Sequence, residues 1–209
     1  KASIQTAIEM RATGSHWTFA PNIDLARDPR WGRVGETFGE DTHLVGEMGV
    51  AMIQGLQQGD FTSKNTVVAN AKHWAAGGEP LTGINLSPMD VSMRTLYEDF
   101  FPPFERAIEA GVFTFMAAHN EINGEPAHGS KFLLTEVLRE DWNFDGFVVS
   151  DWMDVSRLHT FHKVAENPKE AVYQTVDAGM DMNMHGPNFA PYVLELVKEG
   201  RISERRIDD

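Results

Sequence analysis

The feature that most constrains the fold is a regular alternation of short apolar runs with longer segments of helical periodicity. The apolar runs occupy residues 17–20, 67–70, 112–116, 147–150 and 180–184. The helical patterns cover residues 41–58, 92–110, 130–141, 168–178 and 189–199. Strands that alternate with helices are typical of a parallel sheet. Because the runs are almost continuously hydrophobic, we expect the strands to be buried on both faces.

Two fold classes fit this alternation, the open doubly wound sheet and the (β/α)8 barrel. A complete barrel typically takes about 250 residues, whereas this chain has 209 residues. The barrel alternative therefore predicts a partial (β/α)8 TIM-type barrel that lacks early strands at its N-terminal end. No linker-like stretch interrupts the sequence, so we expect residues 1–209 to form one α/β domain.

Helix ends are indicated by capping residues. Asp41 is placed to cap the first of these predicted helices. The apolar face of that helix is predicted to comprise Leu44, Met48, Met52 and Leu56. Gly111, Gly179 and Gly200 each follow a helical pattern, where a glycine commonly ends a helix.

Composition excludes several functional classes. The chain has 18 basic and 31 acidic residues, a net charge of −13, which opposes sequence-independent binding to nucleic acid. No apolar run approaches the roughly 18 residues of a membrane-spanning helix, so no membrane partner is expected. The absence of cysteine removes thiol nucleophiles, disulfides and zinc–thiolate sites.

Motifs for cofactors are also missing. The sequence has no Gly-x-Gly-x-x-Gly or Walker pattern for a nucleotide and no Gly-x-Ser-x-Gly elbow of a serine hydrolase. His159, His162 and Glu166 form a possible metal face on a predicted helix, but their spacing matches no specific metal motif. We therefore expect neither a metal nor a cofactor.

Each predicted strand is followed by polar or aromatic residues. They are Asn22, Asp24 and residues 27–33 after the first strand, 72–74 after the second, 119–121 after the third, 151–152 after the fourth and 183–185 after the fifth. The carboxyl ends of parallel strands converge on one mouth, where α/β folds bind their ligands. A ligand site is therefore predicted at this end of the sheet.

Asp151 is the most informative of these residues, because it ends an apolar strand and precedes Trp152. A carboxylate there is held at the mouth beside an aromatic face that can stack on a sugar or a base. The alternative is a structural role, in which Asp151 caps a helix that begins near Met153.

The adjacent Lys72 and His73 are the second informative feature. Cationic side chains at a strand end lower the pKa of a nearby carboxylate and keep it ionised, as a nucleophile requires. Their donors also suit the hydroxyl groups of a carbohydrate. The alternative pairs the lysine with a surface acid and leaves the histidine to cap a loop.

The segment 28–33 resembles neither a helix nor a strand and places Trp31 between Arg30 and Arg33. We expect it to be ordered by ion pairs with acidic residues that follow it, namely Glu36, Glu40 or Asp41. One of its arginines is then a candidate to reach a substrate hydroxyl.

Several motifs together indicate a known family. They occupy residues 20–24, 27–33, 36–41, 71–74, 120–124, 133–135, 142–146, 148–152 and 178–182. In this order, and over nearly the whole chain, the sequence resembles the N-terminal barrel domain of glycoside hydrolase family 3, the β-glucosidase-like retaining enzymes. The resemblance implies the barrel alternative for the fold.

The resemblance also implies roles for individual residues. The Val-Ser-Asp-Trp motif implies Asp151 as the catalytic nucleophile and Trp152 as a wall of the sugar site. The remaining substrate-binding residues that it implies are Arg33, Lys72, His73, Met116 and His119. His119 stands where the family has a tyrosine that contacts the nucleophile, and an imidazole can serve as the same donor.

Two departures from the family pattern bear on the acid/base. Residues 77–83 contain no histidine, so the loop that supplies the acid/base in the N-acetylglucosaminidase members is missing. In two-domain members of the family, a carboxylate of a second domain is the acid/base. These members also have an aspartate in an early strand of the barrel that binds the outer hydroxyls of the sugar, and this chain has no counterpart of it before Trp17. Glu79, Glu121 and Glu125 are the loop carboxylates within this chain that remain as alternatives.

The predicted function is retaining hydrolysis of β-glycosides through a covalent glycosyl-enzyme on Asp151. The expected substrate is an oligosaccharide or an aryl or alkyl β-glycoside. The domain is expected to be incomplete, to contact a C-terminal domain of the same parent chain, and to be inactive or very weak alone. The family's usual roles imply a periplasmic or secreted location. Alternatives are a non-catalytic carbohydrate-binding domain, or an N-acetylglucosaminidase or phosphorylase of the same family.

Overall fold

The computed structural model describes residues 1–209, which form an α/β fold around a parallel sheet. Eight α-helices are present: α1 (Ala2–Ala12), α2 (Thr42–Gln57), α3 (Met93–Thr95), α4 (Pro102–Glu109), α5 (Asp154–Thr160), α6 (Pro168–Ala178), α7 (Phe189–Lys198) and α8 (Glu204–Asp208). Two π-helical segments, Leu96–Phe100 and Phe132–Asp141, add to them. None of the helices combines the length and the hydrophobicity that crossing a membrane requires.

The sheet decides between the two predicted fold classes. Strands β1 (Asn70–Trp74), β2 (Thr114–Ala117) and β5 (Phe147–Val149) are parallel and lie in the order β1-β2-β5, while β3 (Glu121–Ile122) and β4 (Glu125–Pro126) form a separate antiparallel ribbon. Single parallel bridges from Trp17 and Asn22 extend the sheet beside β1, and one from Met182 extends it beside β5. Neighbouring segments thus follow one another in chain order, as in a TIM-type barrel, without the reversal of a doubly wound sheet.

Three of the five predicted strands form strands of the parallel sheet, and their extents differ from the prediction. Residues 17–20 and 180–184 contribute isolated bridges, and the second strand begins only at Asn70 and runs on to Trp74. Lys72 and His73 therefore lie inside β1. The predicted helix 92–110 is divided into α3, a π-helical turn and α4, since Pro102 and Pro103 supply no N–H groups where α4 begins.

Helix α2 shows one confirmed and one partly wrong prediction. Asp41 caps it, accepting a 2.7 Å hydrogen bond from the Leu44 amide. The predicted apolar face is correct for Leu56, which is buried, and for Met52, which is partly buried against the core. It is wrong for Leu44 and Met48, which are exposed, while Val45 and Ile53 are buried instead. Glycines explain the error: a Cβ on Gly49 would lie 2.7 Å from a methyl group of Ile23, so this small-residue face packs closest to the core.

The largest core cluster surrounds Trp74 at the carboxyl end of β1. Its ring packs against four other aromatic rings, those of Phe101, Phe104, Phe115 and Trp142. The indole N–H donates a 3.1 Å hydrogen bond to the Leu133 carbonyl. Because Trp74 follows His73 directly, this packing fixes the backbone that carries the predicted site residues.

Three glycines end helices as predicted. Gly111, Gly179 and Gly200 have φ of +80°, +118° and +71°, the left-handed region that favours glycine. Ser203 caps α8 by accepting a hydrogen bond from the Arg206 amide.

Candidate active site

Asp151 lies directly beyond the carboxyl end of β5 and is 8% exposed. Its Oδ1 accepts a 2.6 Å hydrogen bond from the Trp152 amide. Helix α5 begins three residues later, after Met153 in a left-handed turn, and no side chain caps it. The alternative that Asp151 is a helix cap is therefore wrong.

Two imidazoles face the second oxygen of this carboxylate. His119 Nε2 lies 3.0 Å from Asp151 Oδ2, and His73 Nε2 lies 3.4 Å from the same atom. His73 belongs to β1, while His119 follows β2. Three neighbouring strands thus deliver one carboxylate and two imidazoles to one point, as the sequence predicts for the mouth of the sheet.

Each imidazole has a buried carboxylate behind it. His73 Nδ1 lies 2.6 Å from Asp24 Oδ2, and His119 Nδ1 lies 2.6 Å from Asp154 Oδ2. Asp24 and Asp154 are each 1% exposed. The five side chains form a continuous chain of polar contacts in which the acidic and imidazole groups alternate.

The contacts of His119 favour the imidazolium form. Burial disfavours its charge, but hydrogen bonds to Asp151 and Asp154 outweigh burial and raise the pKa of His119 to about 9. Both ring nitrogens then donate to carboxylates. At neutral pH His119 is a cation between two anions.

Asp151 is ionised for the complementary reason. Burial raises its pKa, but the hydrogen bond and charge of His119, the charge of His73 and the Trp152 amide hold that pKa well below the usual range of an aspartate. The sequence predicts this effect from Lys72 and His73, whereas His119 is its larger source. An ionised, partly shielded carboxylate is suited to nucleophilic attack.

His128 binds the backbone amide of Asp151. Its Nε2 accepts a 2.9 Å hydrogen bond from the Asp151 amide. Burial lowers the pKa of His128, which keeps the ring neutral and Nε2 able to accept. This histidine follows the β3–β4 ribbon, and the sequence contains no motif that points to it.

Arg33 and Lys72 supply positive charge beside His73. Arg33 donates two 2.9 Å hydrogen bonds to Glu36, as expected for this loop, and its Nη2 lies 3.3 Å from His73 Nε2. Lys72 forms no ion pair, so its predicted pairing with a surface acid is wrong; burial and the Arg33 charge lower its pKa. Its ammonium is left for a ligand.

Trp152 and Met116 differ in accessibility. The Trp152 side chain is 52% exposed and stacks on His185 with 3.9 Å between the ring centroids and 5° between their planes. One indole face is thus covered and the other is open to a ligand. Met116 is 2% exposed within β2, so its contact with substrate stays a prediction.

Comparison with known proteins identifies the family of the chain. The model of the glycosyl hydrolase family 3 N terminal domain matches residues 1–209. The chain belongs to this family.

Relatives within glycosyl hydrolase family 3 are longer proteins. A putative β-xylosidase from Formosa agariphila is 43% identical over 96% of this chain, and a periplasmic β-glucosidase from Salmonella typhimurium is 37% identical over 98%. This chain spans 27% and 26% of their respective lengths. A β-glucosidase from Listeria innocua, solved in complex with glucose, is 39% identical with a TM-score of 0.94 over 99% of this chain and 29% of that one.

The other candidate acids of this chain have partners away from Asp151. Glu79 pairs with Arg27 at 3.9 Å, Glu121 lies 3.9 Å from His162 Nδ1, and Glu125 accepts a 2.9 Å hydrogen bond from the Ser130 hydroxyl. The possible metal face is also divided, because His159 Nδ1 contacts the Ala165 carbonyl while His162 faces Glu121.

The sequence predicts the residues at the centre of the site better than the residues that hold them in place. Asp154, Arg157 and His128 were not singled out, and Asp24 was noted only as a polar residue after a strand. The spacing offered a signal only for the pairing of Asp154 with Arg157, since residues three apart on a helix share a face.

Proposed function

We propose that the protein carrying this chain is a retaining β-glycosidase of the β-glucosidase and β-xylosidase type, with Asp151 as its nucleophile. The observation that carries this proposal is the ionised Asp151 carboxylate, held between two imidazoles at the mouth of a parallel sheet. The names of the Formosa, Salmonella and Listeria relatives support the reaction class.

The reaction has two steps. A carboxylate oxygen of Asp151 forms a bond to the anomeric carbon while the bond to the leaving oxygen breaks and that oxygen takes a proton from an acid. Water then attacks the glycosyl-enzyme, giving its proton to the same group and releasing Asp151 as a carboxylate. Retention requires that group at about 5–5.5 Å from the nucleophile, and we propose that it belongs to a part of the parent protein outside this chain.

The sugar is proposed to bind above Asp151. Lys72 and Arg33 present donors to its hydroxyl groups, and His73 contacts the sugar from the same side. The open face of Trp152 offers a stacking surface for the apolar face of a pyranose ring. The substrates are thus β-linked glucosides or xylosides, consistent with the glucose complex of the Listeria relative.

The remaining proposals concern the whole protein. The incomplete barrel of residues 1–209 contacts a C-terminal domain of the parent chain, in line with the quarter of its relatives' length that it spans. A periplasmic or secreted location is proposed, supported by the name of the Salmonella relative.

Covalent trapping tests the nucleophile. The intact protein is incubated with 2-deoxy-2-fluoro-β-glucosyl and β-xylosyl fluorides, digested and mapped by mass spectrometry. Label on Asp151 is expected, and label on another residue would contradict the assignment. An Asp177→Asn variant, altered at a surface acid that pairs with Lys131, is the matched control and should label like the parent.

Turnover assays separate the rival functions. Release of free glucose or xylose without dependence on phosphate supports hydrolysis, whereas phosphate-dependent release of a sugar phosphate indicates a phosphorylase. Preference for an N-acetylglucosaminide indicates that subgroup. Sugar affinity with no turnover of any of these glycosides indicates a carbohydrate-binding domain.

A further inference from the structure

Behind His119 lies a relay of two further charged side chains that the reaction does not itself require. Asp154 Oδ2 faces His119 Nδ1 at 2.6 Å, and Asp154 Oδ1 accepts a 2.5 Å hydrogen bond from Arg157 Nη1. Arg157 Nη1 also donates to the Trp152 carbonyl at 2.9 Å. Asp154 and Arg157 are therefore connected to Asp151 in two ways. Asp154 contacts His119, which contacts the Asp151 carboxylate, and Arg157 binds the carbonyl of Trp152, the residue that follows Asp151.

The buried charge of Asp154 would destabilise the folded protein if it had no partners. It is the first residue of α5, yet its carboxylate caps no backbone amide and is 1% exposed. Burial raises the pKa of Asp154, but the hydrogen bond and charge of His119 and the hydrogen bond from Arg157 keep it below the usual range. A buried anion is stable only when it is paired in this way.

Resting on the proposed function, we propose that Asp154, braced by Arg157, is a positioning residue that keeps His119 protonated on both nitrogens, so that His119 holds Asp151 Oδ2 during catalysis. His119 keeps its protons in both steps. When Asp151 becomes esterified, its free oxygen still accepts from Nε2, and the same hydrogen bond stabilises the carboxylate that leaves when water attacks.

The charged and titratable groups that face His119 come from several elements of the fold. Asp151 and Asp154 contact its two nitrogens. Arg157 Nη1 lies 3.5 Å from Nδ1, and the His73 ring lies 6.0 Å away, centroid to centroid. His128 and His162, whose pKa values are lowered by burial, also face the cluster as neutral rings. The two carboxylates are thus the groups that favour the second proton, and removal of either should lower the affinity of His119 for it.

The first test follows the proton directly. Selectively labelled histidine in the intact protein is titrated by NMR, with the His119 signal assigned through its loss in His119→Gln. The expected pKa is about 9 in the parent, at least one unit lower in Asp154→Asn, and unchanged in the Asp177→Asn control. An unchanged His119 titration in Asp154→Asn overturns the proposal, and this readout does not depend on activity.

The second test follows the consequence for the reaction. Hydrolysis of a 2,4-dinitrophenyl glycoside needs no acid for its leaving group, so its alkaline limb reports on His119 rather than on the external acid. Asp154→Asn is expected to move this limb of kcat/KM to lower pH. If the His119 pKa falls by one unit, the loss should be about twofold at pH 8 and should approach about tenfold at pH 10, where the ring is mostly deprotonated in both proteins. A His119 pKa that falls while the limb stays in place overturns the positioning role.

Two more variants keep the proposal testable if Asp154→Asn folds poorly. Arg157→Met removes a cation that lies 3.5 Å from His119 Nδ1 and is paired with Asp154 through a side chain that is 25% exposed, so the His119 pKa is expected to rise rather than fall. A fall as large as that expected in Asp154→Asn would contradict the role assigned to the Asp154 charge. In a His119→Tyr background a phenol replaces the imidazole, so Asp154→Asn should no longer move the alkaline limb. An equal shift in both backgrounds would assign Asp154 a general structural role.

Discussion

The two imidazole arms of the site reach the same oxygen by different routes. The His73 arm is built from β1 and the preceding loops, with Asp24 behind the ring and Arg33 beside its Nε2. The His119 arm has Asp154 behind the ring and Arg157 behind that, both on α5. One arm thus places a cation where a sugar can reach it, while the other places its cation in the interior. We propose that this difference separates substrate binding from control of the proposed nucleophile, Asp151.

The largest expected effect on activity is that of substituting Asp151, the residue that both imidazoles contact. Asp151→Asn abolishes the nucleophile while the amide keeps the shape of the side chain, so kcat should fall by at least about 10⁴-fold, as for other nucleophilic residues that act as part of a unit. Steady-state rates on an aryl β-glycoside measure this loss. Residual kcat within tenfold of the parent would show that another group attacks the sugar.

The second prediction concerns the pH dependence of stability in the His119 arm. The folded pKa of His119, about 9, lies above its unfolded value of 6.5, so its stabilisation is complete below pH 6.5 and is lost as the pH rises towards 9. Integrated over that window, the loss is about 3 kcal/mol. Urea denaturation at pH 6.5 and pH 9 measures it.

The control for this measurement is His119→Gln, which removes the titrating ring. The variant should lose most of the difference between the two pH values. If the parent and His119→Gln show equal changes, another group carries the pH dependence and the charge assigned to this arm is wrong.

The third prediction separates the arms kinetically. His73→Ala removes a contact at the sugar side and should raise KM more than it lowers kcat, with a loss in kcat/KM equivalent to about 1.5–3 kcal/mol for a hydrogen bond involving a charged group. His119→Gln should lower kcat more than it changes KM. If both variants change KM and kcat in the same proportion, the proposal that His73 acts in binding and His119 acts on the nucleophile is wrong.

The smallest expected effect lies at the rim of the His73 arm. Glu36 is about half exposed and binds Arg33 through two hydrogen bonds, so Glu36→Gln should cost at most about 1 kcal/mol, as for exposed ion pairs. We expect a KM increase of at most severalfold, because Arg33 loses its orientation. A matched substitution, Glu98→Gln at the exposed pair with Arg94, should leave KM unchanged.

The two arms also differ in how far the sequence predicts them. Lys72, His73 and Asp151 stand in motifs that follow predicted strands, so the rule that parallel strands open at one mouth predicts their convergence, although Lys72 and His73 lie inside β1 in the structure. Asp154 and Arg157 lie in a short helix whose side chains point to the interior only after the turn at Met153 is known. The single residue Asp154 looks like an ordinary charge at the start of a helix, and nothing local marks it as buried.

The fold shows a similar division between pattern and packing. The alternation of runs predicts the parallel sheet, and capping residues predict the ends of α2 and α6. The predicted apolar face of α2 was wrong at Leu44 and Met48 because a hydrophobic pattern gives no weight to Gly49, although close approach to Ile23 requires a residue without a side chain there. The break before α4 depends on Pro102, which the helical periodicity of its neighbours conceals.

The chain-order arrangement of the sheet has an evolutionary consequence. The three side chains that meet come from different strands: His73 lies in β1, His119 follows β2 and Asp151 follows β5. An insertion in one loop therefore alters a single contact while the neighbouring strands keep their register. Under the proposed function, sugar preference is expected to diverge among related chains through loop changes on the His73 side, with the interior arm left intact.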